Sequence, residues 1–147
     1  MKRSVLYLDD EPGCLDLFRE VFGVEYDVRT ASSTDEARRM LAARPADVVI
    51  SDETMPGTTG KVFLAEVADS YPATYRVLLT GRITVGVALR EISAGVVQAF
   101  VTKPWSRGDI NRVLERGLAD ALLCRRAEAL DRGDGMRARG EGRDGED

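Results

Sequence analysis

The chain contains no histidine. That removes the imidazole general base, the Ser-His-Asp and Cys-His nucleophile pairs, and the commonest zinc ligand, so any chemistry must use carboxylates, hydroxyls, lysine or arginine. Cysteine is almost absent. Cys14 and Cys124 are too few for a disulfide scaffold and lack metal-ligand spacing. Each is expected to be a small buried hydrophobe. Cys124 would lie roughly 25 Å along the last helix at ~1.5 Å per residue, so the two should not bridge. Lysine is also scarce: of 21 basic residues only Lys2, Lys61 and Lys103 are lysine. No apolar run approaches the ~18 to 20 residues that span a bilayer, and Met1-Lys2-Arg3 leads directly into a strand-like segment without a signal-peptide core. The expected location is the cytoplasm, with no membrane partner. With a net charge of −4, the basic stripe of a phosphate-backbone binder is missing, and no nucleic-acid partner is expected.

What is present fits one soluble globule. The 147 residues are about one domain's worth, and the 44% hydrophobic share is enough for a real core. Strand-length apolar runs fall at Val5 to Leu8, Tyr26 to Thr30, Val48 to Ser51, Arg76 to Leu79 and Ala99 to Thr102. Between them lie amphipathic stretches at Cys14 to Phe22, Thr34 to Ala43, Lys61 to Ser70 and Val85 to Ala94, with a longer one from Gly108 onward. This alternation predicts an α/β fold with a five-stranded parallel sheet and helices on both faces. Thr34 is the expected cap of the second helix, since Ala37, Met40 and Leu41 then share one face. Ile110, Val113, Leu114, Gly117, Leu118, Ala121 and Leu122 form one stripe on the last helix. From Asp131 to Asp147 the chain is almost entirely Gly, Arg, Asp and Glu, too polar to offset its ordering entropy. The expected organisation is a single domain over residues 1–124, then a helix extension and disordered polar tail over 125–147.

In an open parallel sheet, ligands bind beyond the carboxyl ends of the strands, where loops leave the backbone and side chains share a crevice. The residues falling there are Asp9-Asp10-Glu11 after the first strand, Asp52 after the third, Thr80 after the fourth and Lys103 after the fifth. Taken alone, the first group equally suits an acidic turn opening a helix, and Thr80 a turn or cap. Together they are more specific. Three aspartates in one crevice repel unless their pKa values rise or a divalent cation binds. An oxygen-only donor set favours Mg²⁺ over zinc. Lys103 and Thr80 then add a positive charge and a hydroxyl suited to a phosphoryl group.

Those residues, in this order, resemble the receiver domain of two-component response regulators, the CheY-like, flavodoxin-like fold. The resemblance covers Ser4 to about Leu123 and rests on Asp9-Asp10, on Asp52 followed by Met55-Pro56 and Gly60, on Leu78-Leu79-Thr80-Gly81, and on Phe100 ahead of Lys103-Pro104. It implies that Asp52 accepts a phosphoryl group from a phosphohistidine on a sensor histidine kinase or phosphotransfer protein. It also implies that Asp10, Asp52 and the Thr54 carbonyl hold Mg²⁺ directly, that Asp9 acts through water, and that Lys103 pairs with the phosphoryl oxygens. Thr80 and Phe100 would be the switch residues, and the peptide bond before Pro104 is often cis in the family. The output would be a downstream protein or a domain outside this sequence, with room for a homodimer. No metabolic enzyme is implied, only self-phosphorylation and slow autodephosphorylation. The sequence departs from the common pattern at Glu53, where an apolar residue often follows the phosphoacceptor. Arg82, two residues beyond Thr80, is expected to shield or contact the phosphoryl group.

Two other readings use the same residues. A haloacid-dehalogenase-like phosphatase would employ Asp9 as nucleophile with Thr80 and Lys103, although its second acid would be Glu11 and no acidic pair follows Lys103. A pseudo-receiver would keep the fold as a binding module without phosphorylation.

Overall fold

A computed structural model of the chain describes residues 2–81, 90, 92–120, 123 and 126. Five parallel strands form the main sheet: β1 (Ser4–Leu8), β2 (Asp27–Ala31), β3 (Val48–Asp52), β6 (Tyr75–Thr80) and β7 (Ala99–Thr102). Their spatial order is β2-β1-β3-β6-β7. A two-residue pair, β4 (Thr54–Met55) and β5 (Thr58–Thr59), forms a separate antiparallel hairpin, with Gly57 at its tip in the positive-φ conformation that glycine tolerates best. Among the described residues, the helices are α1 (Pro12–Phe22), α2 (Thr34–Ala43), α3 (Gly60–Ser70) and a C-terminal helix over residues 107–120, and residues 90, 92 and 93 are also helical.

The expected α/β architecture is observed, and the five main strands fall where the apolar runs lie, with ends shifted by at most one residue. Alternate residues of each strand point to opposite faces, which divides the core in two. On one face Leu6, Leu8, Val49 and Leu78 pack with Ala37 and Leu41 of α2 and with Phe63, Leu64 and Val67 of α3. On the other, Val5, Tyr7, Val48, Ile50, Val77 and Leu79 pack with Phe18 and Phe22 of α1 and with Ile110 and Leu114 of the C-terminal helix. Burial on both faces is why the central strands β1, β3 and β6 read as nearly continuous apolar runs, whereas edge strand β2 is only partly buried and carries Asp27, Arg29 and Thr30. Gly117 lets that helix sit directly on β6, since a Cβ there would lie 2.5 Å from the Tyr75 ring.

Arg76 is the exception in β6. It is buried, and its guanidinium donates to the carbonyls of Val96 at 2.9 Å, Thr74 at 2.8 Å and Gly95 at 3.0 Å. Buried charge demands such partners, and here they tie the approach to β7 onto the amino end of β6.

Two local expectations need correction. The cap of α2 is Ser33, not Thr34. Ser33 is extended and its Oγ accepts from the Glu36 N–H at 3.2 Å, while Thr34 is the first helical residue and is buried. Neighbouring hydroxyls are equally good caps in sequence; burial of Thr34 decides between them. Cys14 is half-buried rather than a core residue, because it faces the rim of α1, where its thiol donates to Glu11 at 3.2 Å. Burial and that bond push the thiol pKa up to about 11. Cys124, most of the helix expected at Val85 to Ala94, and the tail from residue 125 onward, apart from Arg126, lie outside the described residues. Among the described residues, no helix is long and apolar enough to cross a membrane.

Candidate functional site

The chain leaves β1 and turns to the β2 side, then crosses to place β3 on the other side of β1. This reversal opens a crevice at the carboxyl ends of β1 and β3. Leu8 is paired with Ser51, so the residues that follow, Asp9 and Asp52, emerge side by side from strands about 4.8 Å apart. Oxygen atoms of Asp9, Asp10 and Asp52 lie within 4.8 Å of one another.

The three carboxylates differ in access. The Asp9 side chain is 0% exposed and that of Asp52 is 13% exposed, while Asp10 faces solvent. Asp9 is held from several directions: Oδ1 accepts from the Glu11 N–H at 3.1 Å, and Oδ2 accepts from the Tyr7 hydroxyl at 3.1 Å and from Lys103 Nζ at 3.0 Å. Tyr7 is fixed in turn. Its ring stacks on Phe18 at 4.2 Å, and its hydroxyl accepts from the Trp105 indole N–H at 3.2 Å. Burial drives the Tyr7 pKa far above its ordinary value, against the Trp105 hydrogen bond and with the Asp9 charge, so the phenol stays protonated as a donor.

Lys103 reaches the crevice because β7 is parallel to β6 and its exit loop is fastened by the Lys103 N–H donating to the Thr80 carbonyl at 2.8 Å. Its ammonium lies 3.0 Å from Asp52 Oδ2 as well as from Asp9. Partial burial disfavours the ammonium, but the hydrogen bonds and charges of the two aspartates outweigh it and hold Lys103 above its usual range. The Lys103–Pro104 bond is cis.

The donor set fits a hard divalent cation. Three carboxylates and one ammonium leave two negative charges uncompensated, all potential ligand atoms are oxygens, and Asp10 and Asp52 keep the crevice open to water. Thr54 begins β4, two residues past Asp52, and pairs with Thr59. The hairpin is pulled tight against β3: the Gly60 N–H donates to the Glu53 carbonyl at 2.8 Å, and a Cβ on Gly60 would stand 2.1 Å from the Asp52 carbonyl oxygen.

Thr80 ends β6 and is buried, with its hydroxyl donating to Glu53 Oε2 at 2.6 Å. Phe100 sits on β7 opposite Leu78, partly buried against the α2–α3 side of the core. It lines a surface groove of about 240 Å³ with Thr102, Asp109, Arg112 and Val113. The structure thus brings Asp9, Asp10, Asp52 and Lys103 together, with Thr80 linked to them through the Lys103 backbone, and places Phe100 on the neighbouring strand. Arg82 lies outside the described residues.

Sequence reasoning missed three participants. Tyr7 and Trp105 take part through hydrogen bonds that no local pattern signals, although a buried tyrosine hydroxyl requires a partner and Tyr7 shares the strand face that Asp9 continues. Glu53 was noted only as a departure, without its contact to Thr80. Beside the cluster, Glu11, Cys14, Leu17, Lys103, Pro104 and Trp105 line a mainly apolar groove of about 370 Å³.

The response regulator receiver domain is the family whose model matches, over residues 5–115. The chain is 34% identical over 102 residues to the hydrogenase transcriptional regulatory protein HoxA of Cupriavidus necator, covering 69% of this chain and 21% of that protein. It is 29% identical over 129 residues to the response regulator protein PilR of Pseudomonas aeruginosa, covering 87% of this chain and 28% of that protein. The chain therefore spans about a fifth and just over a quarter of the length of these two relatives. Among solved structures, it is similar to the signal receiver domain of an HD domain-containing protein from Pseudomonas fluorescens Pf-5, with a TM-score of 0.77 and 26% identity over 85% of this chain and 93% of that one.

Proposed function

Since the chain belongs to the response regulator receiver family, we propose that Asp52 is a phosphoacceptor, labelled by a phosphohistidine on a histidine kinase or phosphotransfer protein, in a unit spanning residues 1–124. The observation that carries this reading is the shared ammonium: Lys103 Nζ stands 3.0 Å from both Asp9 and Asp52, and of that pair only Asp52 opens to solvent. Asp52 is therefore the carboxylate that both touches Lys103 and can be reached by a donor.

In the transfer, an Asp52 carboxylate oxygen forms a bond to phosphorus as the bond between phosphorus and the donor's imidazole nitrogen breaks. The electron pair leaves with the ring nitrogen. Lys103, positive across the working pH range, offsets charge on the phosphoryl oxygens as its bond to Asp52 is exchanged. Asp9 takes no covalent part. Gripped by Tyr7 and the Glu11 N–H, it keeps Lys103 aimed at the crevice. Asp9, Asp10, Asp52 and the Thr54 carbonyl would hold Mg²⁺, with Asp9 acting through water. When bound there, that ion supplies charge neutralisation for the transferring phosphoryl group.

The phosphoryl group at Asp52, which replaces one carboxylate charge by about −1.5 to −2 at neutral pH, then recruits the Thr80 hydroxyl, and Phe100 moves inward along β7. The groove that Phe100 lines is the start of the output surface. The two relatives named above are regulators several times longer than this chain, so the response passes to a partner protein or to a domain outside this sequence, in the cytoplasm. The domain acts as a catalyst only on itself, through self-phosphorylation and slow hydrolysis at Asp52. The phosphatase reading is disfavoured because its nucleophile, Asp9, is fully buried and already accepts three hydrogen bonds.

The test is incubation with acetyl phosphate and Mg²⁺ followed by intact mass measurement. One phosphoryl addition is expected for the parent and none for Asp52→Asn. Label retained in Asp52→Asn, or repeated turnover of a small phosphate ester, would refute the assignment.

A further inference from the structure

Glu53 is fixed on both sides by its backbone. Its N–H donates to the Leu79 carbonyl at 2.9 Å, and its carbonyl accepts from the Gly60 N–H at 2.8 Å. This sets it against the end of β6, where its carboxylate accepts the Thr80 hydroxyl proton at 2.6 Å. The bond is short, charge-assisted and partly buried, and so of the stronger kind. A threonine hydroxyl has only one proton to donate. It cannot serve Glu53 and a phosphoryl oxygen on Asp52 at once.

We propose that Glu53 is a positioning residue that acts through Thr80: it holds the switch hydroxyl in the unphosphorylated arrangement and so sets how much phosphorylation is needed to turn the domain on. The inference rests on the reading of Asp52 as phosphoacceptor. Two effects then oppose labelling. Thr80 must surrender its bond to Glu53 before it bonds the phosphoryl group, and the phosphoryl charge arrives one residue from the Glu53 carboxylate. The first effect requires Thr80, whereas the second does not, and this difference separates them experimentally.

The experiment compares the parent, Glu53→Ala, Thr80→Ala and the double variant. Each is incubated with acetyl phosphate and Mg²⁺, and the steady ratio of labelled to unlabelled protein is read by intact mass. Glu53→Ala is expected to raise that ratio by about tenfold to a hundredfold in the presence of Thr80, the range of one net hydrogen bond to a charged group. In the Thr80→Ala background, the gain should shrink to less than half on a logarithmic scale. Glu53→Gln, isosteric and still able to accept from Thr80 but uncharged, should fall between parent and Glu53→Ala and guards against a folding defect of the alanine variant. An equal gain in both backgrounds overturns the inference while leaving the phosphoacceptor reading intact, as does an unchanged or lowered ratio in a parent that labels normally. A parent that takes no label overturns both.

Discussion

Replacing Gly60 by alanine tests how the fold holds the acceptor loop. The substituted Cβ would lie 2.1 Å from the Asp52 carbonyl oxygen and 3.0 Å from the Asp52 carbonyl carbon and from Leu78 Cδ1. An ordinary contact begins at 3.4 Å, so the start of α3 and the end of β3 must separate by about 1.3 Å. Both partners are backbone within regular elements, so no side-chain rotation relieves the clash. Overpacking of this kind costs about 1–3 kcal/mol. The separation also stretches the 2.8 Å bond from the Gly60 N–H to the Glu53 carbonyl, about 0.5–1.5 kcal/mol. Against this, alanine's better helix propensity returns at most about 1 kcal/mol, and less at a first helical position. The expected net loss is about 1–3 kcal/mol, read as a lower urea midpoint at unchanged slope. Because the displacement falls on the carbonyl of Asp52 itself, labelling by acetyl phosphate should slow even at temperatures where the variant is fully folded. A Gly60→Ala protein with the parent's urea midpoint and labelling rate would refute the close-approach argument.

Lys103→Met leaves buried Asp9 facing Asp52 with no cation between them. In Mg²⁺-free urea titrations it should lose about 1–3 kcal/mol, less than a fully buried pair because Lys103 is 25% exposed, and Mg²⁺ should restore more stability to the variant than to the parent. Arg38 grips Glu66 through two hydrogen bonds, of 2.7 and 3.0 Å, joining α2 to α3, and that pairing lowers the Glu66 pKa. Its contribution is therefore complete above the ordinary glutamate value and is lost as pH falls through the lowered one. Both side chains are largely exposed, so Glu66→Gln should cost under about 1 kcal/mol at neutral pH and should flatten the acid limb of the stability profile. Ser33→Ala removes the α2 cap and should cost about 0.5–2 kcal/mol by urea unfolding, whereas Ser33→Gly should cost only a few tenths.

The layout of the sheet was legible because two-sided burial leaves a nearly unbroken apolar run in the central strands β1, β3 and β6, and the convergence of Asp9, Asp52 and Lys103 followed from where such strands end. Strand limits were less so. Asp52 and Thr80 belong to β3 and β6 because hydrogen bonds from neighbouring strands carry the ladder one residue past the apolar run. The β4–β5 hairpin has two-residue strands, too short to show any alternation. Tyr7 looked like one more core residue, since its hydroxyl partner Trp105 lies 98 positions away in the chain. Glu53 stands between two strands, where no periodicity says which way a side chain points. Its reach to Thr80, 27 positions away in the chain, depends on the pairing of the ends of β3 and β6.

Trp105 is the only tryptophan in the sequence, and its indole N–H is two hydrogen bonds from the Asp9 carboxylate by way of the Tyr7 hydroxyl. The molecule therefore carries a built-in optical gauge. An event that re-orients Asp9 is expected to alter the polarity around this one indole, so occupancy of the acidic crevice can be followed by tryptophan emission, excited beyond the absorption of the four tyrosines, in stopped-flow mixing without an attached dye.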